Sequence, residues 1–333
     1  MTKALITKED VIKRISTVWD TFQNISSFED IERVFLRGQG LSAHTYRTYR
    51  QAIKKFYGFT NGKHPLQVTA ADIEAFYDFR SKEVDLNTAY LDIRGLKKYF
   101  EGVKPHIPFF KSPFDDMPEK LIKKLNKTKS GNRTKKALTQ NEIKALLQWL
   151  SLKTDVRGME DYAIVFMLVT SGLRADELCQ LRWKDIECFE RKWTAVFIGK
   201  GGKVAEQELY SPAVEATKKY FIKAFKHDPR SDDSLFWTIQ VYKGDTPRPM
   251  PYHTLWRRVK SVGETAMNQG IIKRKLDFTP HLFRRSYATN LYRMGMKIKA
   301  IQEKTRHTNI NTLIKHYIHD DEIASPYIDK ILI

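Results

Sequence analysis

The sequence predicts a two-domain, mainly helical protein with a small β-sheet in its second domain, an α+β fold. Three observations support this prediction. Apolar residues in the first third recur at helical steps, a strongly basic stretch separates residues 1–118 from the rest, and a glycine-rich turn joins two β-prone segments within residues 137–333. The chain has 333 residues, which is enough to bury two sizeable cores.

The first domain, residues 1–118, is predicted from three helical patterns. They lie at residues 41–56, 69–80 and 87–100. Thr69 is followed three residues later by Asp72, which is the arrangement of a capping box. We assign the aromatic stripes to the core. The outer faces carry cations that we expect to contact the phosphates of a nucleic acid: Arg47, Arg50, Lys54, Arg94 and Lys97.

Residues 119–136 hold eight basic residues and one acid around Ser130-Gly131-Asn132. This composition resists packing, so the stretch is predicted to be a flexible basic linker. Its charge suits a segment that crosses a nucleic-acid backbone, although a plain solvated tether fits the composition nearly as well.

Residues 137–333 are predicted to form the second domain. Thr139 and Glu142 make a capping box that begins its first helix. Two β-prone segments flank the turn Gly199-Lys200-Gly201-Gly202-Lys203 and indicate a hairpin. The two strands are predicted at residues 193–198 and 204–210. One further helix is predicted to begin at Ser211, and the others at residues 161–170, 254–267, 282–294, 297–304 and 311–316. A tail is predicted at about 318–333.

The charge balance is the strongest constraint that composition places on function. Lys and Arg number 58 against 39 acids, a net charge of +19, which favours a polyanionic partner because each neutralised phosphate releases a counterion. The longest apolar run, residues 163–169, is far shorter than the ~20 residues of a spanning helix. Cys179 and Cys188 alone make neither a disulfide framework nor a zinc site, so we expect a cytoplasmic, nucleoid-associated protein without a membrane partner.

Arginines and histidines in the second domain form a set suited to gripping one phosphodiester. Arg174 and Arg284 supply planar forks that donate two bonds to phosphate and stay protonated. His281 lies one helical turn before Arg284, so both side chains can face one site. His307 is suited either to donate to the same phosphate or to manage protons, since imidazole titrates near neutrality.

A late tyrosine and a hairpin lysine complete the set. Tyr317 is the candidate nucleophile, and its phenol must be activated by nearby positive charge or by a base. Lys200, at the tip of the glycine-rich hairpin, is the candidate general acid for the departing 5′ oxygen, with Lys203 as its rival. Glu177 lies one turn after Arg174 and is placed to hold that guanidinium.

In their order and spacing, these segments resemble the tyrosine recombinase (phage-type integrase) family. The matching motifs are Ser171-Gly172-Leu173-Arg174-Ala175-Asp176-Glu177-Leu178, Gly199-Lys200-Gly201-Gly202-Lys203, Thr279-Pro280-His281-Leu282-Phe283-Arg284-Arg285-Ser286-Tyr287-Ala288-Thr289, and Thr305-Arg306-His307 with His316-Tyr317. The resemblance is strong over about residues 137–320 and looser in the N-terminal helices. It departs from the usual pattern at Arg306, where glycine is common, and at Arg285, where histidine is common. The interval from His307 to Tyr317 is ten residues (317 − 307), one more than usual.

The resemblance implies a site-specific DNA recombinase or integrase with a helical core-binding domain and a C-terminal catalytic domain that together clamp duplex DNA. It implies a 3′-phosphotyrosyl intermediate on Tyr317, a free 5′-hydroxyl, and strand exchange in a homotetramer of two dimers. Because the tyrosyl link keeps the phosphoester bond energy, no ATP, metal or other cofactor and no small-molecule substrate is expected. The tail is expected to dock on a neighbouring protomer. Lys203, Arg285 and Arg306 are expected to contact DNA.

Three alternatives remain open at the level of sequence. A type IB topoisomerase-like nicking-closing enzyme uses similar residues, but it relaxes supercoils without exchanging flanking DNA. A non-catalytic DNA-binding protein on the same scaffold would keep its activity when Tyr317 is replaced by Phe. A metal hydrolase would need ligands from His307, His316, His319 and Asp320 or Asp321, whose spacing does not match a helix-borne ligand set.

Overall fold

The structure, a computed structural model, describes residues 40–104, 110–115, 117–126, 137–199, 202–238 and 248–317. The chain divides into two compact units, Met1–Asn132 and Arg133–Ile333. As predicted, the fold is mainly helical and carries a small antiparallel sheet in the second unit. None of the helices in these described ranges is long and apolar enough to cross a membrane.

Three helices in the described part of the N-terminal unit follow the predicted pattern. The unit contains α1 (Ala43–Phe59), α2 (Ala70–Glu83), α3 (Leu86–Val103) and α4 (Glu119–Leu125), with a 3₁₀ turn at Pro65–Gln67. Thr69 and Asp72 form the predicted capping box at the start of α2. Gly95 lets α1 and α3 approach closely, because a Cβ there would lie 3.1 Å from Ala52 Cβ. Ile53, Phe76 and Phe100 belong to the single core that these helices share.

Helix α4 corrects the prediction that a linker begins at Glu119. Leu125 is buried in the core of the N-terminal unit. Lys124 Nζ lies 2.8 Å from Glu74 Oε1 and 2.8 Å from Asp78 Oδ2, both on α2. From composition alone, the positive charge of this segment is expected to oppose packing. Glu74 and Asp78 offset the charge of Lys124, so residues 119–125 pack on α2. Residues 127–136 of the predicted linker lie outside the described residues.

The second unit combines helices with a three-stranded sheet. They are α5 (Gln140–Ser151), α6 (Val156–Ser171), α7 (Ala175–Gln180), α8 (Ser211–Phe225), α9 (Tyr252–Asn268), α10 (Pro280–Arg293), α11 (Ile298–Thr305) and α12 (Ile310–Tyr317). The strands β1 (Ile186–Phe189), β2 (Lys192–Ile198) and β3 (Val204–Leu209) pair antiparallel in sequence order. Helix α6 begins earlier than predicted, because Asp155 caps it by accepting a hydrogen bond from Gly158 N at 3.0 Å.

Two packing features bring the motif-bearing segments of the second unit together. The buried helix α6 ends at Gly172, which has a left-handed φ of 63° and stands where a Cβ would overlap the ring of Tyr287 on α10. The start of α5 is tied to α10, since Leu138 N donates to Ser286 Oγ at 2.8 Å and Asn290 Nδ2 donates to Leu138 O at 3.1 Å. Helix α10 and the end of α6 therefore share one layer.

Candidate active site

Arg174 stands at the N-cap of α7, and Glu177 holds it there. Glu177 Oε2 accepts the backbone N–H of Arg174 at 2.8 Å, and Oε1 accepts Nη1 at 2.7 Å. Burial raises the pKa of Glu177, but the backbone bond from Arg174 and the charges of Arg306 and Arg174 outweigh burial and leave that pKa below its usual value. Glu177 therefore stays ionised and orients the first arginine.

Arg284 is almost completely buried on α10, with 1% of its surface exposed. Its Nη1 donates to Gly172 O at 2.6 Å, and its Nη2 donates to Thr305 O. The guanidinium thus joins the end of α6 to the end of α11. Carbonyl oxygens orient a guanidinium without cancelling its charge, and this arrangement suits an anion-binding group.

The turn after α11 brings the predicted residues together. Arg174 Nη2 donates to Arg306 O at 3.2 Å, next to the Thr305 carbonyl that accepts from Arg284. Burial, together with the charges of Arg284, Arg174, His281 and Arg306, lowers the pKa of His307 from 6.5 to about 4. The charges of both arginines therefore act on the imidazole of His307.

The hydrogen bonds of His307 indicate its tautomer. Thr305 Oγ1 lies 2.6 Å from Ile301 O and 2.6 Å from His307 Nδ1. A hydroxyl has one hydrogen, and the carbonyl can only accept, so Thr305 donates to Ile301 O and accepts from Nδ1–H. The neutral imidazole then carries its proton on Nδ1 and its lone pair on Nε2.

His281 and Arg285 open onto a cleft of about 780 Å³ beside Arg174. Lys275 and Trp256 also line this cleft. Arg285 is buried, with 9% exposed. The cleft therefore places the cationic side chains of Lys275 and Arg285 beside Arg174.

The hairpin predicted to carry the general acid forms as expected. Gly199 N donates to Lys203 O at 2.7 Å, and Gly202 adopts a left-handed φ of 76°. Lys203 is exposed, whereas Lys200 lies outside the described residues.

The candidate nucleophile ends α12. Only the backbone of Tyr317 is described, and its side chain lies outside the described part, as does that of His316. Helix α12 is anchored through Leu313, which is buried with Ala288 of α10 and Ile301 of α11. The segment bearing Tyr317 is thus packed on the two helices that carry Arg284 and precede His307.

The predicted DNA-contacting residues fall into two groups. Arg47, Lys54, Arg94 and Lys97 are exposed on α1 and α3, and Arg50 is partly exposed. Arg306 differs, because its side chain is only 16% exposed and its Nη2 lies 2.6 Å from Glu177 Oε2. Its Nη1 donates to Gln207 Oε1 on β3. The structure gives these Arg306 donors protein acceptors, contrary to the expected DNA contact.

Sequence reasoning missed several groups that build the site. The carbonyls of Gly172, Thr305 and Arg306 orient the arginines, and main-chain acceptors leave no trace in residue types. Gln207 was also missed, since a lone amide on a strand has no distinguishing pattern. Within the described ranges, no three His, Cys, Asp or Glu side chains are grouped to hold a metal ion. The metal-hydrolase set falls partly outside those ranges.

The comparisons with known proteins identify the family of this chain. The family described as "Phage integrase family" matches residues 136–323, and "Phage integrase, N-terminal SAM-like domain" matches residues 29–107. The chain therefore belongs to the phage integrase family. It is a tyrosine-type site-specific DNA recombinase, and the topoisomerase and non-catalytic alternatives are not favoured.

The similarity to individual relatives covers most of the chain. Tyrosine recombinase XerA of Pyrococcus furiosus is 29% identical over 279 residues, covering 84% of each chain. A tyrosine recombinase of Pseudothermotoga lettingae is 27% identical over 298 residues, covering 88% of this chain and 93% of its own.

Solved structures share the fold. XerH recombinase in a post-cleavage complex with a palindromic difH substrate has a TM-score of 0.68 at 17% identity, covering 98% of this chain and 90% of its own. The Tn1549 transposon integrase with transposon right end DNA has a TM-score of 0.67 at 18% identity, covering 92% of this chain and 100% of its own.

Proposed function

We propose that the Tyr317 oxygen attacks the scissile phosphodiester of a DNA recombination site. The bond from the phenolic oxygen to phosphorus forms as the bond from phosphorus to the 5′ oxygen breaks, giving a 3′-phosphotyrosyl link and a free 5′-hydroxyl. The 5′-hydroxyl of a partner strand then attacks the link, restores a phosphodiester and releases the tyrosine. The number of phosphoester bonds is conserved, so this cycle needs no energy source.

The convergence at residues 305–307 carries this proposal. Adjacent carbonyls of Thr305 and Arg306 accept from Arg284 and Arg174, and His307 follows in the chain. The two guanidiniums would hold the non-bridging oxygens, where negative charge accumulates in the transition state. A pair of fixed cations at that point also favours the phenolate over the phenol of an incoming tyrosine.

The remaining residues take supporting roles. His307, with Nε2 unprotonated, is suited to accept the Tyr317 proton. His281 would donate to the phosphate from the cleft. Lys200 or Lys203 would protonate the departing 5′ oxygen, and Glu177 would keep Arg174 in place.

At a larger scale, we propose that both units grip duplex DNA. The exposed cations of α1 and α3 would contact phosphates from the unit Met1–Asn132, and residues 137–333 would form the catalytic domain. A tail over about 318–333 would dock on a neighbouring protomer within a homotetramer of two dimers. The protein would work where its DNA sites lie, at the nucleoid.

A nicked suicide DNA substrate tests the chemistry, because loss of a short 5′-ended fragment traps the covalent intermediate. Wild-type protein should form a protein–DNA adduct, and peptide mapping should place the DNA on Tyr317. Tyr317→Phe should form none, whereas the control variant Tyr327→Phe should keep the adduct. An adduct on another residue, or undiminished cleavage by Tyr317→Phe, would refute the assignment.

A further inference from the structure

The side chain of Arg306 links the β2–β3 hairpin to Glu177, the residue that orients Arg174. Its Nη2 lies 2.6 Å from Glu177 Oε2, and its Nη1 donates to Gln207 Oε1 on β3. Its guanidinium carbon lies 5.1 Å from the centre of the Phe197 ring on β2. Glu177 and Gln207 are both buried, at 7% and 4% exposed. One guanidinium therefore contacts α7 and both strands of the hairpin.

The backbone of Arg306 adopts a conformation that disfavours a side chain. The residue ends α11 with φ 53° and ψ 46°, the left-handed conformation that glycine adopts without steric cost. The Arg306 carbonyl accepts from Arg174 Nη2, and a glycine in the same conformation would offer the same carbonyl. The turn therefore does not need a side chain, and the strained arginine must be explained by what its guanidinium holds.

We propose that Arg306 is a positioning residue that sets the β2–β3 hairpin, and with it the general-acid lysine, at the correct distance from Arg174. This inference rests on the proposed function, in which a hairpin lysine protonates the 5′ oxygen. Arg306 acts through Phe197 and Gln207, and it contacts neither the phosphate nor the bases. A general acid works only within hydrogen-bond reach of its target, so release of the hairpin would remove its contribution.

The decisive test compares two leaving groups in a single-turnover cleavage assay. One suicide substrate is ordinary DNA, and the other carries sulfur in place of the bridging 5′ oxygen at the scissile phosphate. In the second, the bond from tyrosine to phosphorus forms and the bond from phosphorus to sulfur breaks. A thiol has a pKa near ~8.5, so sulfur departs as a thiolate without needing the lysine proton.

Arg306→Gly should therefore show a selective defect. Cleavage of the oxygen substrate should fall by about 10- to 100-fold, within the range that general acid catalysis contributes. Cleavage of the sulfur substrate should stay within about threefold of wild type, because Glu177 keeps its own bonds to Arg174 N and Nη1 when Arg306 is lost, and Arg284 and the nucleophile are unchanged. Affinity for duplex DNA should change by less than about threefold, since no phosphate contact is lost.

Matched variants separate positioning from general damage. Gln207→Met removes the acceptor from the other side of the contact and should reproduce the selective defect. Lys304→Ala breaks an exposed ion pair across the same α11–β3 interface, 3.2 Å from Glu208 Oε2, and should cleave both substrates like wild type. Arg191→Gly places glycine at another left-handed position, φ 64° in the β1–β2 turn, and should also behave like wild type.

Each contrary outcome has a distinct meaning. Equal losses on both substrates by Arg306→Gly and Gln207→Met would overturn the positioning role in favour of general damage. A large loss of DNA affinity, with normal cleavage at saturating DNA, would make Arg306 a DNA contact after all. Lys200→Ala and Lys203→Ala test the general acid itself. If neither variant cleaves the sulfur substrate faster, relative to wild type, than the oxygen substrate, the hairpin lysine is not the general acid, and the inference about Arg306 is wrong as well.

Discussion

Arg80 in the N-terminal unit and Arg284 in the catalytic unit are both buried, with 6% and 1% of their surfaces exposed. Arg80 donates to carboxylates, at 2.8 Å to Asp92 Oδ2 and at 2.5 Å to Glu83 Oε2. Arg284 donates to the carbonyls of Gly172 and Thr305. The two carboxylates offset the charge of Arg80, whereas the two carbonyls orient the Arg284 guanidinium. The same residue type therefore serves packing in one unit, and in the other we propose that it binds the phosphate.

Removing the neutralised arginine should damage stability most. Among the described residues, Arg80→Met leaves the buried Asp92 with Lys55 at 3.9 Å as its cation, so we expect the free energy of unfolding to fall by about 3–5 kcal/mol. Denaturant unfolding measures this change. Lys98→Met, which breaks an exposed pair 3.1 Å from Glu101, should cost less than about 0.5 kcal/mol. Equal costs for the two variants would show that burial of the Arg80 pair is not what matters.

Replacing the carbonyl-held arginine should damage chemistry instead. Arg284→Lys keeps a positive charge but loses the fork that bonds two carbonyls and a phosphate together. We expect single-turnover formation of the covalent DNA complex to slow by about 10²–10³-fold. Unfolding of the same variant, measured in parallel, shows whether the fold survives. A rate within about threefold of wild type would place the phosphate elsewhere.

The contrast between these two arginines also shows what sequence was able to predict. Helical periodicity predicted α1, α2 and α3 and the late helices well, because each needs only its own apolar face. It missed α4, whose Lys124 finds acids about 50 positions upstream on α2. Local composition cannot contain such a partner.

The site shows the same division between local and distant information. The sequence predicted candidate roles for Arg174, Glu177, Arg284 and His307, because the residue type and motif position of each indicate its chemistry. The Arg306–Gln207 contact joins residues 99 positions apart, and its backbone is left-handed at a residue that disfavours this conformation. Residue type alone therefore suggested a DNA contact for Arg306, and only the fold supplies the buried acceptors.

The exposed cations of α1 offer a further contrast with the buried arginines, because they should act through salt-dependent binding. The double variant Arg47→Ala and Lys54→Ala should reduce the slope of log affinity against log salt by about 0.9 for each lost phosphate contact. Binding of site-containing duplex DNA across a series of KCl concentrations measures the slope. Lys123→Ala, whose lysine is already paired 2.7 Å from Glu119, should leave it unchanged. An unchanged slope in the double variant would show that Arg47 and Lys54 of α1 do not contact DNA phosphates.

The smallest expected effect concerns His307, whose pKa is lowered from 6.5 to about 4 in the folded protein. Between these values the unfolded chain binds a proton that the folded protein does not, so stability is lost as pH falls from 6.5 towards 4. Because the imidazole is partly exposed, we expect this group to account for only about 1 kcal/mol.

His307→Gln removes the titrating group while retaining hydrogen-bonding atoms near Thr305. Its free energy of unfolding should therefore fall less steeply than that of wild type between pH 7 and pH 4, as measured by urea unfolding at several pH values. Parallel curves for the two proteins would mean that His307 accepts a proton as readily in the folded state as in the unfolded chain. The neighbouring guanidiniums would then be farther from the imidazole than this site requires.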